Sequence, residues 1–182
     1  MRFENRSVQL MDGRECVLRP TTAEYAQEMI DYMKITAAET PFLLRYPDEV
    51  KYTLENEKEI LARIYGDEKT VMMLALVDGQ VAGNCSISGL GDKRRILHRC
   101  SLAIALKKEY WGLGIGTAML DYLTELARGI GYEQIELEVV EGNVSAKRLY
   151  EKCGFVETGR RVRAMKYDDG TYRDEFVMTK LL

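Results

Sequence analysis

The sequence predicts a single α/β (α+β) domain, with a mixed, largely antiparallel central sheet of about six to seven strands flanked by helices. Three observations carry this. Two apolar runs, "TVMMLALV" and "QVAGNCSISGL", flank Asp78-Gly79, a dipeptide suited to the φ > 0 positions of a tight hairpin turn. Ile115, Met119, Tyr122, Leu123, Leu126 and Ile130 recur at helical spacing, with Asp121, Thr124, Glu125 and Arg128 opposite them. Two final stretches, residues 155–167 and 171–181, meet at Asp168-Asp169-Gly170 and read as a second hairpin.

In chain order, "ECVLRP" (residues 15–20) alternates and ends at a proline, the first strand. Thr21 or Thr22 caps a helix through about residue 35, with Tyr25, Met29, Tyr32 and Met33 near one face. "ETPFLLRYPDEV" holds two prolines and reads as a loop. A second helix covers roughly residues 53–65, with Leu54, Ile60, Leu61 and Ile64 set among charges. After the hairpin, "RILHRCSLAIAL" (residues 95–106) supplies a long strand that includes His98. The helix over residues 115–130 ends at Gly129 and Gly131. "QIELEVV" alternates, with Ile135, Leu137 and Val139 on one side and Glu136 and Glu138 on the other. Asn143 caps a short helix that runs to about Cys153 and stops at Gly154.

With 182 residues and no linker, repeat or low-complexity tract, residues 1–182 read as one domain with a substantial core. A net charge of −3 excludes a global field for nucleic acid, and the basic run Lys93, Arg94, Arg95, Arg99 reads as a solvated turn. Cys16, Cys85, Cys100 and Cys153 form no CxxC pair and no metal-like spacing with His98, so reduced, packed thiols and no metal are expected. The N-terminus lacks the apolar core of a signal peptide and no run approaches membrane-spanning length, so a cytoplasmic protein with no membrane partner is expected.

"KKEYWGLGIGTAML" (residues 107–120) places Gly112, Gly114 and Gly116 at alternating positions before an apolar-periodic segment. A helix that begins at such a turn presents free N–H groups and a partial positive charge, a site for phosphate or pyrophosphate. Missing Cβ atoms let an anion reach the amides. A P-loop needs GxxxxGK[ST], which is absent. A dinucleotide fold needs GxGxxG directly after a strand, whereas residues 107–111 intervene here and too little chain follows to complete a doubly wound sheet.

"LAIALKKEYWGLGIGTAML" resembles the acyl-CoA-binding signature of the GNAT superfamily of N-acetyltransferases, an apolar strand followed by (Q/R)xxGxG/A. The resemblance continues through "IELEVVEGNVSAKRLYEKCGF", which is similar to the next strand, asparagine-capped helix, tyrosine and "GF" of that family, and through the closing strands. One departure is Trp111, where the family usually has Gln or Arg.

The resemblance implies a GNAT-like fold, acetyl-CoA as co-substrate, and a set of roles. Ile104, Ala105 and Leu106 line the pantetheine arm through backbone bonds, and an N–H of that strand holds the thioester oxygen. Gly112, Leu113, Gly114, Ile115, Gly116 and Thr117 wrap the pyrophosphate. Asn143 touches the cofactor arm, caps its helix, or does both. Tyr150 is the general acid for the departing thiolate, or a core tyrosine. Glu138, in a strand like that of family members that acetylate protein N-termini, is the general base or a solvent-side carboxylate, with His98 as an assistant. The acceptor site is expected in residues 21–65, from Tyr25, Tyr32, Glu39, Phe42, Tyr46 and Asp48, and the acetyl-CoA-binding core in residues 101–155. The expected activity is acetyl transfer to a primary amine of a small molecule or a protein N-terminus, by direct attack in a ternary complex. A catalytically silent acyl-CoA sensor is the alternative, and a homodimer is left open.

Overall fold

The computed structural model describes residues 2–182. Eight strands form one sheet in the order β1-β2-β3-β4-β5-β6-β8-β7. They are β1 Arg6–Gln9, β2 Glu15–Pro20, β3 Val71–Val77, β4 Gln80–Gly89, β5 Arg99–Leu106, β6 Gln134–Val140, β7 Val156–Lys166 and β8 Tyr172–Leu181. Four α-helices accompany them: α1 Ala26–Glu39, α2 Leu54–Gly66, α3 Ile115–Ile130 and α4 Val144–Lys152. Every neighbouring pair is antiparallel except β5 and β6. No helix among the described residues is long and apolar enough to cross a membrane.

The continuous apolar run of β3 follows from its burial on both faces. Val71, Met73, Ala75 and Val77 join a core with Met119, Leu120 and Leu123 of α3 and Ile135 and Leu137 of β6. Their alternates, Leu74 and Leu76, pack with Ala26, Met29 and Tyr32 of α1 and Leu61 of α2. The sheet is therefore covered by α3 on one face and by α1 and α2 on the other. Fully burying each large apolar side chain contributes about 1.5–3 kcal/mol.

The boundaries over residues 115–130 and 134–140 match the sequence reading, as does the Asn143 cap, whose Oδ1 accepts from Ala146 N at 3.2 Å. Three details differ. β1 raises the strand number to eight; it is a four-residue edge strand of half-buried and exposed residues, too short to give an apolar signal. The first helix begins at Ala26 after one 3-10 turn, because the Thr21 and Thr22 hydroxyls are buried without partners and cap nothing. β5 begins at Arg99, so His98 lies in the turn before it, where its carbonyl accepts from Glu133 N and Gln134 N.

The parallel pair β5/β6 is short: Arg99, Cys100 and Ser101 stand opposite Gln134, Ile135 and Glu136, and pairing then stops. Arg99 fastens this end with a two-pronged bond to Glu136, at 2.5 and 2.9 Å. Beyond it, Leu102–Leu106 stay registered with β4 while β6 runs with β8. Leu90 N donates to Arg99 O and Lys107 N to Ala82 O, so odd-numbered residues of β5 turn their peptide groups to β4. By the alternation of an antiparallel ladder, Ile104 and Leu106 turn theirs toward the gap.

Candidate active site

A cavity of about 410 Å³ opens where β5 leaves β6, lined by residues of β5, the turn after it, the first turn of α3, the length of α4, and the end of α1 with the loop after it. On one wall, α3 begins at Gly114, whose φ is +93°, and no side chain caps it. Its first main-chain bond runs from Ala118 N to Gly114 O at 3.1 Å, which leaves the amides of Ile115, Gly116 and Thr117 without helical acceptors. Gly112 (φ +77°) and Gly114 are glycines because the turn needs left-handed backbone. Gly116 is a glycine for another reason: a Cβ there would stand 2.9 Å from Leu149 Cδ2 of α4. Arg148 and Lys152 of α4 line the same cavity and add positive charge.

Trp111 stands where the family that the sequence resembles usually has Gln or Arg. Its indole Nε1 donates to Leu106 O at 2.9 Å, tying the glycine turn to the end of β5. The second constraint on that end is Tyr32 of α1, whose hydroxyl donates to Ala105 O at 2.7 Å. Leu113 does not line the cavity; it packs toward the core, and its carbonyl accepts from Met11 N at 3.3 Å. Ala105 lines the cavity, yet its peptide group belongs to the β4 ladder, so the free backbone groups of this strand are those of Ile104 and Leu106.

Tyr150, on α4, is 7% exposed, and its ring meets Phe155 edge-on at 5.9 Å between centroids. Its hydroxyl has no hydrogen-bond partner among the described residues. Burial pushes the phenol up to about 12, so it stays protonated. Tyr150, Ile104, Ala105 and Asn143 also line a second cavity of about 770 Å³, on the α1/α2 face of the sheet. The two cavities therefore share one wall, and Tyr150 stands in it.

Glu138 lines the second cavity and not the first. Arg161 of β7 reaches it at 3.4 Å while bonding Glu175 more closely, at 2.7 Å. Of the acceptor residues expected from the sequence, Tyr32 and Phe42 line this cavity. Tyr25 instead accepts from Arg19, Glu39 accepts from Lys108 N at 2.7 Å, Tyr46 lines a separate cavity beside β7, and Asp48 is exposed. One acidic residue lining the second cavity was not singled out from the sequence: Glu57 of α2, 4% exposed. Its signal was present, since Leu54, Glu57 and Leu61 share one helical face. The four cysteines are buried, and burial raises their thiols, Cys16 to about 11 and Cys100 to about 12. No group of three or more His, Cys, Asp or Glu among the described residues is arranged to hold a metal ion.

This glycine turn at a sheet gap accords with the comparison to known proteins: residues 28–155 match the Acetyltransferase (GNAT) family. The chain belongs to that family. An uncharacterized N-acetyltransferase of Methanocaldococcus jannaschii is 39% identical over 108 residues, 59% of this chain and 64% of that one. The chain thus spans less than two thirds of that relative. The crystal structure of a GNAT-family acetyltransferase from Streptococcus pneumoniae superposes with a TM-score of 0.87 at 27% identity, over 92% of this chain and 99% of that one. A candidate acetyltransferase of Salmonella typhimurium, solved with its cofactor acetyl-CoA, has a TM-score of 0.80 at 15% identity, over 92% and 94% of the two chains, and shares the fold.

Proposed function

We propose that this GNAT protein is an acetyl-CoA-dependent N-acetyltransferase acting on a primary amine, of a small molecule or a protein N-terminus, by direct attack in a ternary complex. The observation that carries the reading is Tyr150, a buried phenol with no partner of its own, in the wall common to both cavities. That wall is where an arriving amine and a departing thiolate would meet. Residues 101–155 form the acetyl-CoA-binding core and residues 21–65 supply much of the acceptor side.

In this reading the free amides of Ile115, Gly116 and Thr117, with Gly112 and Gly114, hold the pyrophosphate, and Arg148 and Lys152 add charge. Leu113 supports the turn from behind. The Ile104 and Leu106 peptide groups take the pantetheine arm as a strand would, and an N–H there receives the charge that develops on the thioester oxygen. Asn143 both caps α4 and faces the arm. Glu138 accepts a proton from the acceptor ammonium, directly or through water, since a lysine-type amine near ~10.4 is mostly protonated at neutral pH. Attack then forms the C–N bond and breaks the C–S bond, Tyr150 supplies the sulfur with a proton, and the proton shed by the new amide nitrogen returns the phenol to its neutral form. Desolvation that raises the phenol acts on a thiolate in the same cleft as well, which brings the two nearer in proton affinity.

Thiol release from acetyl-CoA, measured across a broad amine library, tests the activity. Tyr150→Phe is expected to lower kcat by about 100-fold while leaving acetyl-CoA affinity within about twofold. Intact acetyl-CoA binding with no transfer to any amine would instead make the protein a sensor.

A further inference from the structure

The second cavity holds three carboxylates. Glu138 and Glu175 are both engaged by Arg161, at 3.4 and 2.7 Å. Glu57 is different: it is more than nine-tenths buried and lines the cavity beside Met29, Ile60 and Met72, yet its side chain makes no hydrogen bond or ion pair among the described residues. Arg45, which also lines this cavity, is exposed. It lies over the Tyr52 ring at 5.3 Å and 3.7 Å from Met33 Sδ, outside ion-pair reach of Glu57. The Glu57 oxygens are not sealed in but open onto the cavity, and a carboxylate set in an apolar lining with no protein donor leaves that place to a donor brought by a ligand.

We propose that Glu57 recognises the acceptor: its carboxylate seats a second, cationic group of the amine substrate, so the preferred acceptors carry an ammonium or guanidinium distant from the reacting nitrogen. Glu57 lines the second cavity and not the first, outside the wall that includes Phe42, Ile104, Ala105, Asn143 and Tyr150, so it meets the end of an acceptor away from the nitrogen at Tyr150. The methionines and the aromatic rings of Tyr32, Phe42 and Tyr52 suit the alkyl span between. Burial raises the Glu57 carboxyl and Arg45 offsets part of that rise, and an arriving cation favours the charged form further. This inference rests on the second cavity being the acceptor site.

The test is calorimetric and needs no turnover. With CoA present as an unreactive partner, three families of probes of matched length are titrated: linear α,ω-diamines, the corresponding monoamines and the corresponding ω-amino acids. Wild-type protein is expected to bind its best diamine about tenfold or more tightly than the matched monoamine and amino acid. Glu57→Gln should abolish that preference, leaving monoamine and CoA binding unchanged. Because the change removes an unpaired buried charge, its melting temperature should equal or exceed that of wild type. Equal binding of the three families, no measurable binding of any diamine, or a preference that survives in Glu57→Gln overturns the inference. So does a melting temperature lowered alike by Glu57→Gln and Arg45→Gln, the mark of a structural pair. A diamine preference with no acetyl transfer would overturn the enzymatic reading above while supporting this one.

Discussion

Gly114 and Gly116 differ by two positions and owe their lack of a side chain to separate causes, which makes their substitutions separable. At Gly114 the backbone is left-handed, with φ at +93° and open space where a Cβ would go, so alanine brings strain rather than a clash. Gly114→Ala is expected to cost about 1–2 kcal/mol in denaturant unfolding and to weaken acetyl-CoA binding as the amides turn. Gly116 is helical, and an added methyl crowds the movable end of Leu149 and makes ordinary contact with Leu106. Gly116→Ala should hold or gain stability, by about 0.5–1 kcal/mol, while acetyl-CoA affinity falls because Leu149 is pushed into the cleft. Calorimetric titration beside unfolding curves checks the pair. At this scale the glycines, Asn143 and Tyr150 were legible because each has a fixed place in a motif. Arg148 and Lys152 were not, since two basic residues on an amphipathic helix look like any solvated face until the cavity beside them is seen.

Among the elements, the junction of β5 and β6 decides where the cleft opens. Arg99 and its carboxylate partner hold the last paired rung, and the Arg99 guanidinium, followed by Gln134, keeps Glu136 below the usual carboxylate range. A carboxyl depressed in the folded state contributes stability above its unfolded value near ~4.3, and that contribution is lost as pH falls through the folded value. Glu136→Gln should therefore destabilise the protein at neutral pH and flatten the acid side of the stability profile, and the two proteins should converge at low pH. Urea unfolding at a series of pH values measures this. The sequence located both strands, but not their parting. Alternation in "QIELEVV" sets which residues face which side and is silent on where a neighbour departs. The position of α2 was readable, whereas Glu57 within it was absorbed into a count of surrounding charges.

For the whole molecule, a sheet buried on both faces by helices was foreseeable from the unbroken apolar run of β3 set beside amphipathic helices. The second cavity was not, because its walls come from α1, α2, the loop after α1, and strands far apart in the chain. Only the folded arrangement brings Tyr32, Glu57 and Glu138 around one space, which is why Glu39 and Asp48 looked equally plausible from the sequence. Ligand binding across the cleft should stabilise the entire fold. Acetyl-CoA at 100 times its dissociation constant adds about 2.7 kcal/mol, which for a chain of this size raises the melting temperature by about 5–10 °C. A thermal melt with and without the ligand checks it, and an unchanged melting temperature at saturating ligand would contradict specific binding to the native state.

The three rungs from Arg99 to Ser101 also have a mechanical meaning. They divide the sheet into two plates, β1 to β5 and β6 with β8 and β7, that touch along a seam less than half the length of either flanking strand. The plates are joined by fewest main-chain bonds along that line, so a molecule lying along the open seam would bridge them where the sheet itself does not.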